Sequence, residues 1–371
     1  MIKRILQQPI VQKLDKGKAI LLIGPRQVGK TTLIKSILGN REYLFMDGDD
    51  PTVRSLLTDP NTEQLKSIIG NYTTIFIDEA QRIENIGLTL KIITDQFKQV
   101  QLLISGSSAF ELNSQTSEPL TGRKWEYNLF PISWKEFEGT MGFLKAEQQL
   151  DLRLLYGMYP DVLNNIGNEV GILKELTSSY LYRDILAFSG IRKPQVLEKL
   201  LRALALQIGS EVSNNELAQL VGVDKNTIGN YIDILEKGYV VFRLPSFSRN
   251  LRNEIKTNQK IYFYDTGIRN AILGNFTGLD SRNDKGGLWE NFLISERIKK
   301  ITYSGSLANS YFWRTKQQQE IDYVEEVSGT IIGYEFKWNA KAKAKFPKSF
   351  IEAYDSKIAV VHRDNFREFV M

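Results

Sequence analysis

The chain has no cysteine and only one histidine, His362, in 371 residues. The first absence removes disulfides, thiolate zinc centres and cysteine nucleophiles. The second argues against histidine metal clusters and Ser-His-Asp hydrolysis. Metal chemistry must then rest on carboxylate oxygens, which suit Mg²⁺ or Mn²⁺. No stretch reaches the roughly 18 uninterrupted apolar residues that a membrane helix needs. Gln7-Gln8-Pro9 follows Met1-Ile2-Lys3-Arg4 before any signal-peptide core develops, so the expected location is cytoplasmic, with no membrane partner. A large charge of one sign is also missing. The formal charge of +5 and pI near 9.0 permit a nucleic-acid partner without requiring one. What remains is 42% hydrophobic and 25% charged, the composition of a globular protein. Its length exceeds one core and suggests two or three domains.

One stretch stands out near the start. Gly24-Pro25-Arg26-Gln27-Val28-Gly29-Lys30-Thr31 fits G-x-x-x-x-G-K-S/T, between the apolar run Ala19 to Ile23 and the helix-like Thr32 to Leu38. In that setting the glycines let backbone amides turn toward phosphate oxygens. Lys30 supplies positive charge at the β- and γ-phosphates, and the Thr31 hydroxyl can ligate Mg²⁺. The expected ligands are therefore ATP and Mg²⁺. About 48 residues after Lys30, the apolar strand Thr74 to Ile77 ends in Asp78-Glu79. Asp78 would hold the metal through water at the strand tip, and Glu79 would orient the attacking water. The next buried strand, Gln101 to Ile104, ends in Ser105-Gly106-Ser107-Ser108, whose hydroxyls would face the γ-phosphate. Arg123, in Leu120-Thr121-Gly122-Arg123, could stabilise transferred charge in its own subunit or, in a homo-oligomer, in a neighbour. Alternating strands and helices here imply a parallel sheet with its ligand at the strands' C-terminal ends.

The middle of the chain reads as helical, with Tyr182, Arg183 and Asp184 as structural helix residues. Val212 to Glu236 then carries a helix-turn-helix pattern. Ser213 or Asn214 can cap the first helix, which ends at Gly222, and Asp224 can cap the second. Leu217, Leu220, Val223, Ile228, Ile232 and Leu235 would share a core, and Tyr239 to Leu244 would follow as a wing-like strand. If the unit binds DNA, Lys225, Asn226, Thr227 and Asn230 would face the groove. Arg243, Arg249, Arg252, Lys256 and Lys260, opposed locally only by Glu254, would suit phosphates. Such units also recruit proteins, so a protein partner stands beside DNA.

Toward the end, Ile321 to Glu325 and Ile331 to Lys337 read as a hairpin through Val327 to Thr330, after an amphipathic helix opening at Gly287. Asp322 and Glu335 would then face each other, with Lys337 on the face of Glu335. With Glu290 on the preceding helix, these are the parts of a PD-(D/E)xK nuclease centre. Glu290, Asp322 and Glu335 would hold Mg²⁺, and Lys337 would position the nucleophile or stabilise charge. The basic run Lys341, Lys343, Lys345 and Lys348 fits a phosphate track and an ordinary solvated face equally well.

The order of GPRQVGKTT, IFIDEAQ, ISGSS and LTGR resembles the AAA+-like branch of P-loop ATPases, and the resemblance implies a sensor role for Ser105 or Ser107. With YLYRD, YFYDTGIRNA, GLWENFL, YFWRT, EIDYV and YEFKW, nearly the whole chain resembles prokaryotic AAA+-like ATPases that carry a C-terminal winged helix and a restriction-endonuclease-like domain. The resemblance implies an α/β protein with a P-loop parallel-sheet ATPase domain over 1–140. A helical segment would follow over 141–206, a winged helix-turn-helix over 207–255 and an α/β nuclease-like domain over 256–371. It implies ATP hydrolysis and a DNA-directed role, against a nucleotide-dependent switch whose nuclease-like part is inactive and recruits partners.

Overall fold

Ala19–Ile23 are buried on both faces, the condition of a central parallel strand, and form β1. The computed structural model describes residues 2–107, 119–178, 193–248 and 259–371. The chain divides into two compact units, Met1–Ile132 with Lys237–Tyr239, and Ser133–Glu236 with Val240–Met371.

In the first unit, β1 joins β2 (Leu44–Asp47), β3 (Thr74–Asp78), β4 (Gln101–Gly106) and β5 (Lys124–Asn128) in one sheet ordered β2-β3-β4-β1-β5. All four pairings are parallel. Because β4 lies between β1 and β3, the loop after β1 and the acids after β3 flank the tip of β4. The helix Lys30–Leu38 follows the loop, and Ile86–Gln96 precedes β4. The polar stretch from Pro51 to Ile69 forms two helices, Pro51–Leu57 and Thr62–Ile69. Pro60 prevents an unbroken helix, and Asn61 starts the second one with a reciprocal capping box to Gln64.

The second unit begins with the capped helix Trp134–Met141 and continues through Phe143–Tyr156. Helices Asn214–Val221 and Lys225–Lys237 form the expected pair. Leu217, Ile228, Ile232 and Leu235 are buried in it. Leu220 is not. It is 64% exposed, because the inward stripe runs through Leu217, Ala218 and Val221. Three short strands, β6 (Glu211–Val212), β7 (Val241–Pro245) and β8 (Gln259–Phe263), make an antiparallel sheet ordered β6-β8-β7.

The long helix Lys285–Ser304 precedes β9 (Asn309–Arg314), β10 (Glu320–Val327) and β11 (Thr330–Phe336). After the helix Lys348–Tyr354, β12 (Lys357–Val361) adds parallel to β11, giving the order β12-β11-β10-β9. β10 and β11 form the expected hairpin. Its two turn residues, Ser328 and Gly329, both have positive φ, as a turn matched to strand twist requires.

Candidate functional site

The loop Gly24 to Gly29 leaves the C-terminal end of β1 and enters the helix Lys30–Leu38. Gly24 must be glycine for a packing reason: a Cβ there would lie 2.0 Å from the Leu129 carbonyl oxygen. Gly29 has φ +91°, which favours glycine over any residue with a side chain. Pro25 and Val28 are buried, Arg26 is half-buried, and Gln27 and Thr32 are exposed. Beneath the loop, buried Arg4 donates to the carbonyls of Val28 at 2.7 Å and Phe130 at 2.6 Å. Arg4 lies outside the motif, and only three-dimensional packing reveals it as a brace.

Lys30 is 5% exposed, and its ammonium donates to the carbonyls of Gly24 at 2.9 Å and Pro25 at 2.8 Å. Burial lowers its pKa to about 8, against the opposing pull of Glu79 and Asp78. The Thr31 hydroxyl donates to Asp78 Oδ2 at 2.6 Å, and the Ser105 hydroxyl donates to the other oxygen of the same carboxylate. Register explains the meeting: Leu22 pairs with Ser105 and Ile77 with Ile104, so Asp78 and Ser105 end adjacent strands at one level. Ser107 receives a hydrogen bond at 2.7 Å from Gln81, whose same nitrogen donates to Glu79 at 2.5 Å. Glu79 itself has φ +46°. Its backbone approaches β2 so closely that a Cβ on Gly48 would be 2.4 Å from the Glu79 oxygen.

Lys30, Thr31, Asp78, Glu79, Ser105 and Ser107 are thus brought together at one end of the sheet. Gln81 joins them without having been singled out in the sequence, although its place two residues after the acid pair was the available signal. A hydroxyl and a carboxylate in direct contact on an oxygen-rich strand tip fit a Mg²⁺ ion. Ser108 lies outside the described residues.

Arg123 is elsewhere. Its carbonyl accepts from the Ala19 amide at the start of β1, while the loop leaves the far end of that strand. Five strand residues separate the two ends, about 16 Å at a strand's rise. Its guanidinium is bonded to Asp95 at 2.6 Å. The expectation that Arg123 reaches a phosphate in its own subunit is therefore corrected.

A second group of charges sits in the other unit. Glu290 on the helix Lys285–Ser304 accepts from Tyr262 at 2.5 Å and from Lys260 at 3.0 Å. The Lys260 ammonium also meets Glu320 at 2.6 Å. Asp322 accepts from the Phe336 amide at 2.8 Å, and Lys337 donates to Glu335 at 2.9 Å. Burial pushes Glu290 up to about 7 against the pull of Lys260, and burial with the Asp322 charge pushes Glu335 to about 7. Asp322 is raised as well, chiefly by burial. Burial alone would lower the Lys260 pKa, yet Glu290 and Glu320 outweigh it and raise it.

The structure therefore gathers Glu290, Asp322, Glu335 and Lys337 into one electrostatic neighbourhood. Among the described residues, however, no three acidic or histidine side chains are placed to hold a metal ion together. The expected Mg²⁺ set of Glu290, Asp322 and Glu335 does not fit, because Glu290 is committed to Lys260 and Tyr262.

Two expected phosphate contacts are also corrected. Lys260 is 1% exposed and paired as described. Arg243 is bonded to Asp233 at 2.5 Å and to Glu236. Lys225, Asn226 and Asn230 are exposed on the second helix of the pair, while Thr227 is drawn back onto Asp224. Tyr182, Arg183, Asp184, Arg249, Arg252, Glu254 and Lys256 lie outside the described residues. No helix among the described residues is long and apolar enough to cross a membrane.

Comparison with known proteins agrees with the first unit. An AAA domain family matches residues 16–138, and two domains of unknown function match residues 147–278 and 285–369. An uncharacterised protein of Mycobacterium tuberculosis is 30% identical over 329 residues, covering 87% of this chain and 71% of its own. An uncharacterised protein of Methanocaldococcus jannaschii is 24% identical over 98% of this chain and 83% of its own. Among solved structures, a Walker-type ATPase of Pyrococcus abyssi shares the fold at a TM-score of 0.50 and 15% identity, over 74% of this chain and 96% of that one. The chain belongs to the family of the mycobacterial protein, a P-loop ATPase family built on an AAA domain.

Proposed function

We propose that this protein hydrolyses ATP at the tip of β1, β3 and β4 and couples turnover to DNA bound by its second unit. The observation that carries the proposal is the meeting of Thr31 and Ser105 on the two oxygens of Asp78, beside a buried Lys30. Mg²⁺, held by Thr31 and through water by Asp78, would neutralise charge on the β- and γ-phosphates.

The chain's own residues do the rest. Loop amides and Lys30 bind the triphosphate, and Lys30 exchanges its two carbonyl partners for phosphate oxygens. Glu79, held in position by Gln81, orients the attacking water and receives its proton. Ser105 holds Asp78 in place, and Ser107 holds Gln81. Arg123 enters this reading only in trans, from a neighbouring copy in a homo-oligomer.

The exposed Lys225, Asn226 and Asn230, at the start of a capped helix, support DNA as the partner. The domain assignments 1–140, 141–206, 207–255 and 256–371, and the cytoplasmic location, belong to the same proposal. The alternative, a nucleotide-driven switch whose nuclease-like part is inactive, is favoured at one point: Glu290 is already taken by Lys260. Cleavage is accordingly not part of the proposed activity.

The test is steady-state ATP turnover with and without duplex DNA at about 0.1 M salt, where non-specific contacts are partly screened. Turnover should rise with DNA, should vanish in Lys30→Ala, and should lose its DNA response in Lys225→Glu/Asn230→Asp. Turnover indifferent to DNA, in a protein that no DNA retains, would leave only the switch reading.

A further inference from the structure

The carboxylates of the second unit raise a question that the hydrolysis site does not answer, namely what neutralises them. Glu290, Glu320, Asp322 and Glu335 lie around Lys260 and Lys337. Of the two lysines, Lys337 is on the rim, with its side chain 30% exposed. Lys260 is the inner one, its side chain 1% exposed, and it reaches two carboxylates carried by different elements. Glu290 comes from the helix Lys285–Ser304 and Glu320 from β10, while Lys260 itself sits on β8. Behind the ammonium lies the ring of Phe312, at 5.4 Å from its centroid. Tyr262, fully buried two residues along β8, donates to the same Glu290 oxygen as Lys260.

The arrangement has the attributes of an occupied cation site: two anionic oxygens at 2.6 and 3.0 Å from a buried positive charge, a second-layer hydroxyl fixing one of them, and an aromatic wall. A divalent ion bridging Glu290 and Glu320 would have to displace the Lys260 ammonium, whose side chain is 1% exposed.

We infer that the Lys260 ammonium is the cation of this centre, filling from within the fold the place between Glu290 and Glu320 that a divalent ion would otherwise take, so that the folded protein binds no Mg²⁺ or Mn²⁺ there. The inference is independent of ATP hydrolysis in the first unit. It gives the carboxylate cluster a definite chemistry, that of a lysine-closed joint tying β8, β10 and the helix Lys285–Ser304 together.

The test is Mn²⁺ binding to the full chain without nucleotide, followed by the loss of the free-ion paramagnetic resonance signal. All arms carry Asp78→Asn, so that the hydrolysis site contributes nothing. With Lys260 present, adding Glu320→Gln should leave Mn²⁺ binding unchanged. Lys260→Met should gain one Mn²⁺ equivalent, and Glu320→Gln should remove it again. Mn²⁺ bound in the presence of Lys260 and lost with Glu320→Gln would overturn the inference. So would a folded Lys260→Met protein that gains no ion. Should Lys260→Met fail to fold, Lys260→Gln keeps a donor in the same place and is read in the same way. The comparison made with Lys260 present decides the matter even if neither variant folds.

Discussion

Nucleotide affinity should fall as pH rises through 8, because the fold holds Lys30 in an environment that disfavours its charge. The perturbation is pH alone, between 7.5 and 9, a range in which phosphate groups with second pKa values near 6 stay ionised. Burial lowers the Lys30 pKa to about 8. Bound phosphates favour the ammonium, so binding requires the protonated form and takes up a proton when Lys30 has lost it. With a pKa near 8, the charged fraction falls from roughly three-quarters at pH 7.5 to roughly a tenth at pH 9. Affinity should therefore weaken about eightfold, or about 1.3 kcal/mol. The assay is isothermal titration of ADP or a slowly hydrolysed ATP analogue in two buffers of different ionisation enthalpy, which reads affinity and proton uptake together. Equal affinities at the two pH values, with no buffer-dependent heat at pH 9, would show that binding does not depend on the Lys30 proton. The sign extends to stability. The folded pKa lies below the ordinary 10.5, so this group penalises the fold below pH 8 and releases the penalty between pH 8 and 10.5.

Three further outcomes follow from particular contacts. Gly24→Ala should lower the stability of the first unit by about 3 kcal/mol, seen as a fall in Tm of about 10 °C, because a Cβ would lie 2.0 Å from the Leu129 carbonyl oxygen. Lys260→Ala should cost about 3 kcal/mol in a denaturant titration, since it strands the half-buried Glu290 beside Glu320. Gln81→Ala should lower kcat for ATP about tenfold with little change in KM, because it frees Glu79 from the tie to Ser107. A changed KM at constant kcat would place Gln81 in binding instead.

How much of this could be read from the sequence depended on how local each signal is. The loop at Gly24 to Thr31 and the hairpin through Ser328 and Gly329 are legible because each is specified by its own few residues. The acid pair was legible because a buried strand ending in Asp78-Glu79 keeps its meaning in any parallel sheet. Its partnership with Ser105 depended on β4 lying between β1 and β3, a long-range pairing that spacing alone does not encode. Arg123 failed for the same reason. Its distance from the loop follows from the parallel register of β5 with β1, which puts it at the strands' starting ends. Leu220 was assigned to a core because it is apolar, but the helix turns it outward by one position relative to Val221. Lys260 is the most instructive case. Its nearest acids along the chain are Asp265 and Glu254, whereas the acids that bind it come 30 and 60 residues later. A basic run judged over ten residues looks free, although folding has already supplied its counter-ions.

If Glu79 activates water for attack on a nucleotide gripped by Lys30 and Thr31, replacing it should slow the chemistry without weakening binding. Single-turnover ATP hydrolysis by the wild type and Glu79→Gln, with nucleotide affinity measured for both, separates the two. The expected result is a 10²- to 10⁴-fold slower chemical step in Glu79→Gln at unchanged affinity. Hydrolysis at the wild-type rate in that variant would rule out Glu79 as the activating base.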